Sequence, residues 1–375
     1  MAALPDVLTL FIELAAIPSP PGEERAVADR VAHYLQTLGV QFDEDESGAR
    51  VGSTIGNVLA RVAPAQGNGG VPVFFCAHLD TVPPDGRIEP VVEEGIVRNA
   101  QPTILGADNK AAVAVMLEAV RRVVEEGRPH AGIELLFTPK EEVGLEGAKA
   151  FDATRLTARV GFVYDYASPV GELVIAAPYS YSVDAVFKGR SAHAGMYPEE
   201  GRSAIQAAAR AVADLRLGRI DEQTTANVGT VAGGSARNVV PDRCEIAGEA
   251  RSRDERKLAD LVQEMLDSFA FAASLFDCEV VTTVEEKYRG YRLADDDLAL
   301  ELARSAVKAA GREPREIAAG GAADANIFNE RGLDCVNIAN GMTNVHSPEE
   351  HIAVADLDAM VDVTLALVDV ARTAA

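Results

Sequence analysis

Apolar positions recur at helical spacing over 26–38, where Val27, Val31, Leu35 and Leu38 share one face and Gly39 supplies a stop. The apolar stretch 7–17 lacks a basic leader and contains Glu13, so it reads as an amphipathic helix and not as a signal peptide. Short apolar runs follow at 57–62, 71–77, 133–138 and 160–164, each bounded like a strand. Between the second and third runs, 110–126 is an Ala- and Val-rich helical stretch that begins just after Asp108 and Asn109. Strands alternating with helices of this length predict an α/β domain, its mixed sheet flanked by helices.

Near Pro178 the pattern changes to strand 181–187, helix 202–215, strands 226–231 and 243–251, helix 254–273 and strand 279–284. That order is the split βαβ, ferredoxin-like arrangement. Helix 295–310, strand 334–338 and helix 354–371 then resume the first pattern. The expected organisation is a discontinuous main domain, 1–178 and 289–375, with an inserted α+β domain at 179–288. No internal repeat occurs, and the Gly-rich stretch 66–70 reads as a surface turn.

A chain of 375 residues exceeds what one hydrophobic core usually serves, in agreement with two domains. Lys plus Arg number 35 against 58 Asp plus Glu, and the net charge of -23 repels nucleic acid and anionic membranes. No apolar run reaches the roughly 20 residues needed to span a bilayer. Cys76, Cys244, Cys278 and Cys335 are scattered, which argues against a zinc ribbon or a disulfide framework and points to the cytoplasm.

The acidic excess acquires meaning where it meets histidine at strand ends. His78 follows the run 71–77, Glu141 and Glu142 follow 133–138, Asp165 follows 160–164, and His346 lies beyond 334–338. In open α/β sheets the carboxyl ends of the strands form the ligand-binding edge. Zinc accepts imidazole nitrogen and carboxylate oxygen, and a pair of ions needs a bridging carboxylate. Two histidines and three carboxylates meet that need: His78 and Asp165 for one ion, Glu142 and His346 for the other, Asp108 between them. Glu141 stays free beside a ligand, placed to take the proton of an attacking water and pass it to a leaving amine. Asp80, two residues past His78, suits acceptance of the other imidazole N–H. His33, His130 and His351 read as structural.

The segments His78-Leu79-Asp80-Thr81-Val82, Gly106-Ala107-Asp108-Asn109-Lys110, Thr138-Pro139-Lys140-Glu141-Glu142-Val143-Gly144 and Asn344-Val345-His346-Ser347 resemble the M20 family of metallopeptidases, over nearly the whole chain. Asp165 and the stretch Ser191-Ala192-His193-Ala194-Gly195 resemble its peptidase T-like branch, where Glu at 165 would lean toward deacylases. The resemblance implies an aminopeptidase of short peptides, tripeptides first, with two zinc ions per subunit that Co2+ or Mn2+ can replace. It further implies a cis peptide after Asp108 and an inserted domain acting as lid and homodimer contact. His193 would stabilise the oxyanion. Asn238 and Arg251 match positions that hold the substrate's carboxylate or backbone. Gly320 and Gly321 open a Gly-rich loop beside the site, here with Ala322 and Ala323 where Ser or Thr is commoner. Rival readings are another amide hydrolase (dipeptidase, carboxypeptidase or N-acyl amino acid deacylase) and a catalytically silent binding protein, whose signature would be loss of Glu141 or a ligand.

Overall fold

The computed structural model describes residues 4–65 and 69–374, so most of the Gly-rich turn expected at 66–70 lies outside the described residues. The chain forms two compact units. Unit one comprises Met1–Ile175, Arg292–Ala319 and Ala323–Ala375; unit two comprises Ala176–Tyr291 and Gly320–Ala322.

In unit one the strands Ile133–Thr138, Val73–His78, Val160–Val163 and Asp334–Ile338 lie side by side, all parallel. Val58–Val62 pairs antiparallel at one side of this group and Glu172–Ala177 at the other, so the sheet is mixed. Every residue of Val73–His78, Ile133–Thr138 and Val160–Val163 is buried. That is why these strands read as unbroken apolar runs and not as alternating ones. Phe74 meets Phe328 edge-on at 5.2 Å, and Phe75 packs on Phe162 at 5.7 Å. Gly161 is required by this packing, because a Cβ there would lie 2.0 Å from the Phe74 ring. Helices Val7–Ala15, Ala107–Glu126 and Val354–Thr373 pack on one another, while Leu298–Ala309 and Asp324–Glu330 contact the Val160–Val163 and Asp334–Ile338 strands.

Several short strands escape the periodicity, Gln41–Glu44 and Arg315–Ala318 among them. Glu172–Ala177 lies where the pattern changes and so merges with it. The hairpin Pro90–Glu93 and Ile96–Asn99 is short and half exposed, and it pairs through Ile96–Asn99 with His351–Ala353. This second, three-stranded sheet anchors the segment after His346.

Unit two orders its strands Gly218–Arg219, Thr224–Gly233, Arg243–Ser252, Tyr179–Lys188, Glu279–Tyr288, all antiparallel. With helices Ala204–Asp214 and Glu255–Leu275 this is the ferredoxin-like order. Val183, Ala185 and Phe187 alternate inward along their strand and join Leu258, Met265 and Phe269 in the core. Ser203 and Asp254 cap the two helices, each accepting N–H bonds from the first turn. Among the described residues no helix is long and apolar enough to cross a membrane.

Candidate metal centre

Parallel strands end on the same side, and the residues that follow them meet there. His78 is the last residue of its strand and is buried; the sequence reading placed it one residue beyond. Its Nδ1 lies 2.8 Å from the Asp80 carbonyl oxygen, so Nδ1–H donates there and Nε2 is left to accept. Nε2 lies 3.2 Å from Asp108 Oδ1 and 3.7 Å from Asp165 Oδ1. On the other side His346 Nε2 lies 2.9 Å from Glu142 Oε1 and 3.2 Å from Asp108 Oδ2. Asp108 thus turns one carboxylate oxygen to each imidazole. The atoms fall into two groups that could hold a metal, His78–Asp108–Asp165 and Asp108–Glu142–His346, with Asp108 in both.

The peptide bond between Asp108 and Asn109 is cis. Asp165 is fixed by its backbone: its N–H donates to Asn337 Oδ1 and its carbonyl accepts from Asn337 Nδ2, both at 2.9 Å. Asn337 lies on the Asp334–Ile338 strand and read from sequence as an ordinary strand residue.

Asp80 differs from the sequence expectation. It meets the His78 imidazole through its carbonyl, while its carboxylate stands 3.5 Å from Nδ1. The carboxylate instead accepts the N–H groups of Glu141 at 2.9 Å and Glu142 at 3.1 Å. Asp80 therefore holds the loop that carries both glutamates. Asp80→Ala strands these donors in a protein interior, at about 1–3 kcal/mol each. The metal-free variant should lose about 2–6 kcal/mol of stability in a urea titration with unchanged m. An unshifted midpoint would mean that the two bonds contribute nothing net.

Electrostatics describe a site built for cations. Burial alone would lower the His78 imidazole, but the hydrogen bond to Asp108 and the nearby Asp165 and Asp80 carboxylates outweigh it and hold the group well above its ordinary range. Hydrogen bonds to Asp108 and Glu142 push His346 up to about 10. Burial and the Asp165 charge hold Glu141 well above the usual carboxylate range, and burial likewise raises Glu142 and Asp165. So many buried acids around two imidazoles could all stay ionised together once cations compensate them. Imidazole nitrogen and carboxylate oxygen suit a divalent transition metal. The donor set fits such ions, with His78 and Asp165 on one side, Glu142 and His346 on the other and Asp108 shared.

Sequence reasoning passed over Asp324. It is buried, its Oδ2 accepts Thr138 Oγ1–H at 2.6 Å, and burial pushes its carboxyl up to about 6 with help from the Asp165 and Asp80 charges. Thr138 pairs in register with His78, so Asp324 braces two strand ends at once.

The remaining candidates belong to unit two. Ala194 N–H donates to the Asn238 carbonyl at 3.0 Å and Val240 N–H to the Ala192 carbonyl at 2.9 Å, which sets His193 opposite Val239 and next to Asn238. His193 Nδ1 accepts from the N–H groups of Gly195 at 3.2 Å and Met196 at 3.1 Å. A neutral imidazole with Nδ1 so occupied carries its proton on Nε2. Arg251 pairs with Glu249 at 2.8 Å on the same strand, and its Nε is buried with no partner. Gly320 and Gly321 face open space where a side chain would stand.

Residues 74–370 match the model of peptidase family M20/M25/M40. Over 363 residues the chain is 36% identical to the uncharacterized protein YqjE of Bacillus subtilis (strain 168), covering 97% of each. It is 37% identical to the crystal structure of aminopeptidase PepT from Bacillus cereus ATCC 10987, with a TM-score of 0.87 and 97% of each chain covered. With a tripeptidase from Staphylococcus aureus subsp. aureus mu50 the identity is 32%, the TM-score 0.92 and the coverage 98% of each. The chain belongs to peptidase family M20/M25/M40 and is a metallopeptidase hydrolase of its peptidase T-like branch.

Proposed function

We propose that the protein is an aminopeptidase that releases the N-terminal residue of short peptides, tripeptides first, and that its two metal ions are zinc. What supports this most is the Asp108 carboxylate shared by two imidazole groups, in a chain that is 37% and 32% identical to the PepT aminopeptidase and the tripeptidase. In the proposal His78 and Asp165 hold one ion, Glu142 and His346 the other, and Asp108 both. Bound divalent ions would supply Lewis-acid polarisation of the scissile carbonyl. Glu141 takes the proton of the attacking water and delivers it to the leaving amine, and Asp80 holds Glu141 in register for both transfers. His193 donates from Nε2 to the developing oxyanion. Asn238, Arg251, Gly320 and Gly321 are proposed to bind the peptide.

The reading includes a homodimer through unit two, supported by Phe271 and Leu275, which are 58% and 56% exposed on helix Glu255–Leu275. It also includes a cytoplasmic setting, supported by four free cysteines. A substrate panel tests the activity. Free N-terminal amino acid should appear from tripeptides at a kcat/KM well above that for dipeptides. Release of acetate from N-acetyl amino acids with no peptide cleavage would replace the aminopeptidase reading by a deacylase one.

A further inference from the structure

His346 sits at the tip of a loop whose base is closed by the pair Thr343–His351: each N–H donates to the other's carbonyl, at 3.0 and 3.1 Å. Four residues past His346, the Glu350 side chain turns inward and is 2% exposed. Its Oε2 accepts the N–H groups of Leu105 at 2.7 Å and Gly106 at 2.8 Å, and its Oε1 accepts that of Asp108 at 2.9 Å. A carboxylate that accepts three backbone N–H groups in a dry interior is held in one orientation, and it holds the donors in turn. The segment it grips is the one that presents Asp108. Gly106 has φ 78°, a left-handed conformation that glycine adopts without strain and that lets its N–H join those of Leu105 and Asp108 on one carboxylate.

We propose that Glu350 is the positioning residue of the metal centre, fixing Asp108 and His346 relative to each other so that the two halves of the site share one carboxylate. The proposal rests on the reading of these residues as metal ligands. The Glu350 carboxylate bonds backbone N–H groups and makes no hydrogen bond to the Asp108 or His346 side chain. It joins two loops, one carrying each ligand, that are 242 residues apart in sequence where Glu350 meets Asp108. Without it the 105–108 segment has three N–H groups to place elsewhere, and Asp108 loses the reference that aligns Oδ2 with His346 Nε2.

The test is E350Q, a substitution that keeps the side chain's shape but replaces one acceptor oxygen by an NH2 group facing backbone N–H donors. Zinc affinity is measured on the full-length protein by competition with a chromophoric chelator, alongside the Tm and amide hydrogen exchange of the metal-free form. The expected result is a Kd for the second zinc equivalent raised by about 10–100-fold. Exchange should quicken at Leu105, Gly106 and Asp108, and the metal-free Tm should fall by only a few degrees. A folded E350Q with wild-type zinc affinity overturns the proposal. H346A separates the two levels. If H346A binds zinc as tightly as wild type, the ligand reading itself fails; if H346A weakens and E350Q does not, only the role of Glu350 fails. Should E350Q not fold, E350D carries the same measurement, since it keeps both oxygens one methylene short. Failure of both to fold assigns Glu350 to folding and overturns the positioning role.

Discussion

Glu141→Ala is expected to lower kcat by about 10²–10⁴-fold while leaving the bound metal content unchanged. Glu141 lies beside Glu142 but in neither group of atoms that could hold a metal. Its N–H is tied to the Asp80 carboxylate, and its carbonyl accepts from Gly144 and Leu145, so truncating the side chain leaves the loop anchored. What goes is the proton acceptor. Glu141 is buried, and burial with the Asp165 charge favours its protonated form, which a nearby cation would reverse. The residue is thereby suited to gain a proton in one step and lose it in the next. The measurement pairs steady-state kinetics on a tripeptide with metal analysis of the same sample. Normal metal content with normal kcat removes Glu141 from the mechanism, and loss of both ions would make it a ligand.

Asp108→Ala should have the larger effect on the metals. Loss of a partner that merely orients a ligand typically weakens metal binding by 10–100-fold, and Asp108 is shared by both groups. The Kd values for both equivalents should rise at least on the order of 100-fold, and turnover should vanish with them. A proton count gives an independent readout. In the metal-free protein hydrogen bonds to Asp108 and Glu142 raise His346 to about 10, so it carries a proton at pH 7 that a metal must displace. Metal uptake by the wild type should therefore release protons, and affinity should climb with pH until about 10. Titration calorimetry in buffers of different ionisation enthalpy counts them. In Asp108→Ala, His346 loses the first of its two carboxylate partners, so fewer protons should be released. Equal affinity for both ions would refute the bridging role.

Much of this was legible in the chain. The four buried strands announced themselves as apolar runs because helices cover the sheet, and the ferredoxin-like arrangement followed from the order of strand and helix segments over 181–284. The hairpin at Pro90–Asn99 was not legible, because two four-residue strands with little burial leave no periodicity. Among the chemical residues, His78, Glu142 and Asp165 could be picked out at or just past a strand end, Asp108 at a helix start, and His346 in the loop beyond a strand. Glu350 could not, since beside Glu349 it reads as a solvated pair and only its burial distinguishes it. Asn337 and Asp324 were hidden for the same reason, one inside a strand and the other in a Gly- and Ala-rich stretch.

Sequence by itself determined the candidate inventory of the site: two imidazoles and several carboxylates at strand ends, a helix start and a loop, with Glu141 next to Glu142. Those are local properties, set by residue type and by the register of short segments. Tertiary structure alone decided how Asp108 divides its two oxygens, that Asp80 grips the Glu141–Glu142 loop through its carboxylate, and that Glu350 ties the loop of His346 to that of Asp108. Each of these depends on a backbone N–H or imidazole meeting a carboxylate from a distant part of the chain. Such meetings are fixed by the packing of parallel strands and the loops they carry, which no local pattern encodes.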